Sequence, residues 1–162
     1  METLKEFWYN RINPKSRSER HFVIETTLEI RCEFARIDAR DGDYEKKKTS
    51  KEYEYHVIEE FINSVKCDIS RIPYIAKPIP YQIVRGTLPM FRKCDISIIP
   101  ESHTRRYIVL TINGQKWYVD PTVDNWHSRH FSTGDRPFYV STKKPKYVVM
   151  KDVISEGVIC PV

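Results

Sequence analysis

The stretch YIVLTINGQKWYVDPT, Tyr107 to Thr122, decides the fold class. Asn113-Gly114 stands between two β-rich runs. That dipeptide tolerates the two positive φ angles of a type I′ turn, so it is a strong hairpin signal. A two-residue turn also fixes the register. Ile112 falls opposite Gln115 and Leu110 opposite Trp117; continued further, Tyr107 falls opposite Asp120. Ile108, Leu110, Ile112, Trp117 and Val119 then share one face, which is expected to be buried.

On either side of the hairpin the chain reads as further strands. YQIVRG (81–86), FYVST (138–142) and KYVVMKDVI (146–154) are short β-rich runs between turn residues. Prolines at 73, 78, 80, 89 and 100 limit helices and favour extended links. Residues 22–34 alternate, with Leu28, Ile30, Cys32 and Phe34 on one side and Glu29, Arg31 and Glu33 on the other, the pattern of a half-buried strand. Residues 51–66 have a 3.6-residue period instead. Val57, Ile58, Phe61, Ile62 and Val65 make an apolar stripe, and Thr49 or Ser50 is placed to cap it. The lysine-rich stretch after Asp41-Gly42 reads as a solvated loop. One main helix (51–66) and about seven strands predict a single α+β domain over 1–162 with a mostly antiparallel sheet. Its N-terminal segment, 1–20, is an amphipathic stripe (Leu4, Phe7, Trp8, Ile12) followed by a basic loop.

Composition agrees with a globular chain. It has 162 residues, 40% hydrophobic and 12% aromatic, enough to bury a core without staples. The net charge of +5, 27 Lys and Arg against 22 Asp and Glu, permits an acidic or nucleic-acid partner without requiring one. No apolar run approaches membrane-spanning length, and the N-terminus lacks the apolar core of a signal peptide. The four cysteines include no Cys-x-x-Cys pair. Together these features predict a cytoplasmic, intracellular protein with reduced thiols, no membrane association and no cofactor.

The pentapeptide KCDIS occurs twice, at 66–70 and 93–97. The flanks differ, so this is no repeat architecture. Each copy is expected to be a half-buried strand with Cys and Ile inward. If those strands are neighbours, Cys67 and Cys94 come within disulfide reach, a point left open by sequence. Asp68 and Asp95 alone fall short of the six or more oxygens that a hard cation takes.

SHTRRYIVLTINGQKWYVDPTVDNW, starting at Ser102, resembles the His-strand-turn-strand-Asp segment of the transglutaminase-like superfamily, which has a papain-like core. The matching residues are His103, Trp117, Asp120, Pro121 and Thr122, and the likeness covers residues 101–142. The resemblance implies a thiol-dependent acyl transferase or hydrolase acting on a protein or peptide, or an inactive relative. In such a site a Cys thiolate attacks an acyl carbon, a His moves the proton and an Asp orients the His. The implied triad is Cys67, His103 and Asp120. Cys67 is chosen because it follows the one strong helix and precedes His103 by 36 residues.

Two features of the residues oppose a working triad. His103 lies four residues beyond Tyr107, so it is displaced from Asp120 by roughly 13 Å along the strand. The diagonal position that could reach Asp120 is Arg105, which cannot act as a base. The helix start, where a nucleophile would gain from the dipole, holds Thr49, Ser50 and Lys51.

Other constellations are weaker. His127 and His130 have a spacing that suits one metal ion, with His103 or a cysteine as third ligand, but no second ligand pair accompanies them, and no metal is assigned. Asp43, Glu45 and Lys47 resemble a nuclease cluster yet fall in a loop-like stretch. The alternative function is non-catalytic nucleic-acid binding by Arg17, Arg20, Lys46, Lys47, Lys48, Arg105 and Arg106, should these converge on one surface.

Overall fold

The computed structural model describes residues 19–30, 51–73, 75–87, 89–121, 138–145 and 152–162. The hairpin forms at its centre with the expected register: Ile112 pairs with Gln115, Leu110 with Trp117 and Ile108 with Val119. Asn113 and Gly114 take φ of 52° and 80°, the two left-handed positions of a type I′ turn. Its strands are β2 (Thr104–Ile112) and β3 (Gln115–Asp120). They join β1 (Ile79–Thr87), β4 (Tyr139–Ser141) and β5 (Asp152–Ile159). The sheet is fully antiparallel in the order β4-β3-β2-β1-β5, so the fold is α+β. Among the described residues the sheet has five strands. The β1–β5 pairing slips between Ile83 and Val84, a bulge that leaves Ile154 without an opposite residue.

Ile108, Leu110, Ile112, Trp117 and Val119 are all buried, as the hairpin parity requires. The helix expected at 51–66 is present as Lys51–Asp68. Its Val57, Ile58, Phe61 and Val65 pack on this sheet face in one core cluster with Ile79 and Ile159. Each fully buried aliphatic side chain contributes about 1.5–3 kcal/mol, so this shared face is the main source of stability.

Residues 19–30 form a helix, here α1, with Lys51–Asp68 as α2. This corrects, for residues 22–30, the strand expected over 22–34. Phe22, Val23, Thr26, Thr27 and Ile30 are the buried set, a spacing of one and four that fits a helical face. Leu28, expected inward, is exposed. The alternation of apolar and charged residues at 28–34 hid this period, because the two threonines occupy core positions. Their hydroxyls are satisfied locally: Thr26 Oγ1 donates to the Phe22 carbonyl at 2.8 Å and Thr27 Oγ1 to the Val23 carbonyl at 2.7 Å. Residues 31–34 lie outside the described residues, as do Thr49, Ser50 and the segment 1–18.

Buried Glu19 ties α1 to the hairpin. One carboxylate oxygen accepts from Trp117 Nε1 at 3.1 Å, the other from Asn113 Nδ2 at 2.8 Å. Asn113 Oδ1 in turn accepts from the Ala76 N–H at 2.6 Å. The turn residue therefore fastens both α1 and the segment before β1.

Neither KCDIS copy is a strand, which corrects that expectation. In the first, Lys66, Cys67 and Asp68 finish α2, and Ile69–Arg71 is a 3-10 turn. In the second, Asp95 precedes the 3-10 turn Ile96–Ile98 and caps it, accepting from the Ser97 N–H at 3.0 Å. The common element is thus an Asp-Ile-Ser tight turn, set by short-range polar bonds that compete with strand pairing. The caps differ, since Asp68 pairs with Arg71 at 3.2 Å instead.

Candidate functional site

α2 fixes the two ends of the sheet. Near its start, a Glu54 carboxylate oxygen accepts the Arg106 N–H at 2.6 Å. Near its finish, the Lys66 carbonyl accepts the Val162 N–H at 3.3 Å, just past the end of β5. Glu54 to Lys66 spans roughly 18 Å of helix. Cys67 therefore stands at the Ile79–Ile159 end of the sheet. His103, immediately before β2, stands at the opposite end, beside the Thr87–Thr104 pair. The implied nucleophile and base are separated by the length of the sheet.

Asp120 is held by another residue. Its two carboxylate oxygens accept from Arg105 Nε and Nη2, each at 2.9 Å, and both side chains are fully buried. This is a bidentate fork, the geometry that suits guanidinium and carboxylate planes. It occupies the diagonal position from which a base would have to reach Asp120. His103 takes a separate place in the 3-10 turn Glu101–His103. Its N–H donates to the Pro100 carbonyl at 2.9 Å, its carbonyl accepts from Thr87 Oγ1 at 2.6 Å, and its ring rests on Phe91 with centroids 5.4 Å apart. The structure thus does not bring Cys67, His103 and Asp120 together. The four-residue strand offset between His103 and Tyr107 persists, with no bulge in the β1–β2 ladder to shorten it.

The Arg105–Asp120 pair lies on the sheet face away from α2. Alternate residues of a strand point to opposite faces, so Arg105 and Arg106 cannot form one patch. Tyr107 and Tyr118 share the Arg105 face, their rings 6.4 Å apart. Burial, with Tyr118 adding to it, pushes the Tyr107 phenol well above its ordinary range.

Arg106 belongs to a second polar cluster, on the α2 side. Its guanidinium lies over the Tyr55 ring, 3.8 Å from the centroid. The cross-strand partner of Arg106 is Arg85. Two arginines directly opposite would repel, and two carboxylates on Arg85 offset this. Arg85 donates to Glu101 at 3.2 Å and to Asp152 at 2.8 Å, while Glu54 takes the backbone of Arg106. Tyr55 Oη also reaches Glu101 at 3.4 Å. Burial raises the Tyr55 phenol, an effect that the Arg106 guanidinium opposes. Sequence reasoning missed Arg85, Glu101 and Asp152. The available signal was parity: in YQIVRG, Arg85 falls on the face of Tyr81 and Ile83, where an unpaired charge is costly.

These placements also revise the expected nucleic-acid surface. Arg105 is sealed against Asp120, and Arg106 is stacked on Tyr55. Arg20 lies on α1, half-buried. Arg17, Lys46, Lys47 and Lys48 lie outside the described residues, as do His127, His130, Asp43, Glu45 and Cys32. Among the described residues no three His, Cys, Asp or Glu side chains are grouped to hold a metal ion. No helix among them is long and apolar enough to cross a membrane.

An open cleft of about 340 Å³ lies on the outer sheet face. Gln82, Val109, Thr111, Lys116, Glu156 and Val158 line it, and no cysteine or histidine does. Gln82 Nε2 donates to Glu156 across it at 3.4 Å. Such a cleft offers hydrogen bonds and one charge of each sign.

No family model, curated protein or solved structure matches this chain.

Proposed function

We propose that this chain is a non-catalytic relative of the transglutaminase-like fold and acts by binding, not by acyl transfer. The observation that carries the reading is the buried fork between Arg105 and Asp120. A catalytic aspartate must be free to accept from an imidazole N–H and to stabilise the imidazolium. Asp120 gives an oxygen to each of two guanidinium donors, and the strand position that could supply an imidazole holds a permanent cation. The separation of Cys67 from His103 by the length of α2 supports the same conclusion. The polar cleft lined by Gln82, Thr111, Lys116 and Glu156 is the binding surface in this reading.

Thiol alkylation tests it. An activated cysteine would be ionised well below its free pKa of about 8.5 and would react fast near neutral pH. The expected result is that iodoacetamide labels Cys67 slowly at about pH 6.5, and equally in the wild type and in His103→Ala. Rapid labelling at neutral pH that His103→Ala slows would overturn the reading, because it would reveal a thiolate–imidazolium pair.

A further inference from the structure

The structure brings the KCDIS cysteine of α2 to the same end of the molecule as Cys160, not to its sequence twin. β5 and α2 both finish at the Ile79 end of the sheet. The three residues after β5 fold over the end of α2, where the Val162 N–H donates to the Lys66 carbonyl at 3.3 Å. That carbonyl is one of the last four of the helix, which have no partner within it. The contact puts Cys67, next to Lys66, and Cys160, two residues before Val162, at one corner of the molecule. Both thiols are free and solvent-exposed. Cys94 lies in the connection between β1 and β2, whose two ends, Thr87 and Thr104, are paired at the far end of the sheet.

We propose that Cys67 and Cys160 are an oxidation site, closing to an intramolecular disulfide by exchange with a low-molecular-weight disulfide such as oxidised glutathione. A disulfide needs Cα atoms about 4.4–6.8 Å apart. The tail can move to that separation at little cost. The last ladder pair of β5 is Ile79 with Ile159, and among the described residues one backbone bond beyond it holds the tail. One thiolate attacks the small disulfide and releases one small thiol, forming a mixed disulfide. The second protein thiolate then attacks the protein sulfur of that bond and releases the second small thiol. Two protein thiols are oxidised, two small thiols are produced, and the two protons pass to them. The product is a ring of roughly 90 residues whose closure fastens the tail to α2 and ties β5 to the helix above it.

Peptide mapping of the full chain reads the pairing directly. Trypsin separates the four cysteines into CEFAR, CDISR, CDISIIPESHTR and DVISEGVICPV. The chain is equilibrated in glutathione buffers of increasing oxidised fraction, the remaining thiols are blocked, and the digest is analysed by mass spectrometry. The expected result is one dominant cross-link, CDISR to DVISEGVICPV, lost in Cys67→Ser and in Cys160→Ser but kept in Cys94→Ser. In concentrated urea, where the fold no longer selects partners, that preference should vanish. A dominant cross-link to Cys32 or Cys94 would overturn the proposal. So would glutathione adducts on Cys67 and Cys160 without a bond between them.

Discussion

Removing either member of the Arg105–Asp120 pair is the sharpest perturbation available. Both side chains are fully buried, and the pair makes two bonds of 2.9 Å. Asp120→Leu leaves a buried guanidinium without its counter-charge, and Arg105→Met leaves a buried carboxylate without its cation. Breaking a buried ion pair on one side costs about 3–5 kcal/mol, most of it the penalty of the stranded charge. Replacing both at once removes that penalty, so Arg105→Met with Asp120→Leu should lose much less than the sum of the single changes. The expected coupling is about 2–3 kcal/mol, near the top of the range for residues in direct contact. Urea unfolding monitored by tryptophan fluorescence gives each value. In a thermal scan, each single change should lower Tm by about 6–20 °C, at 2–4 °C per kcal/mol for a chain of this size. Single changes costing less than about 1 kcal/mol, or costs that simply add, would refute a structural role for the pair. Asp120 would then be available for chemistry after all.

Two further outcomes follow from the hairpin. Trp117→Phe keeps most of the ring body but removes the N–H that Glu19 accepts at 3.1 Å, so it should cost about 1–3 kcal/mol through the weakened satisfaction of a buried carboxylate; an unchanged urea midpoint would show that this bond contributes nothing. Gly114 has φ of +80° and open space around an added Cβ, so Gly114→Ala should cost about 1–2 kcal/mol through backbone strain alone, whereas Gly114→Asn, which tolerates the left-handed region, should cost less; equal losses for both would point to a different turn.

Elements whose signals are local can be read from short windows of the chain. Asn113-Gly114 dictates a type I′ turn because few other residues accept two positive φ angles, and the turn then fixes the register of β2 and β3. The stripe from Val57 to Val65 dictates α2, since five apolar residues on one face leave no other way to bury them. The four-residue offset of His103 from Tyr107, and the diagonal reach of Arg105 to Asp120, were also legible, because strand geometry is regular. Where tertiary contact decided, local reading failed. Thr26 and Thr27 read as polar, yet a helical backbone satisfies their hydroxyls and lets them face the core, so the local pattern points to a strand where α1 forms. KCDIS reads twice as a strand, but Asp68 is the last residue of a helix and pairs with Arg71, while Asp95 caps a turn through Ser97. The partners of Arg85, Glu101 and Asp152 come from three separate segments. Which charges meet is settled by sheet order, and β5 crossing to the far edge of β1 is a long-range choice that no short window of sequence carries. The same crossing brings the residues after β5 to the end of α2. Proximity between residues so far apart in the chain depends on the packing of the whole sheet against α2, and only the folded structure holds that information.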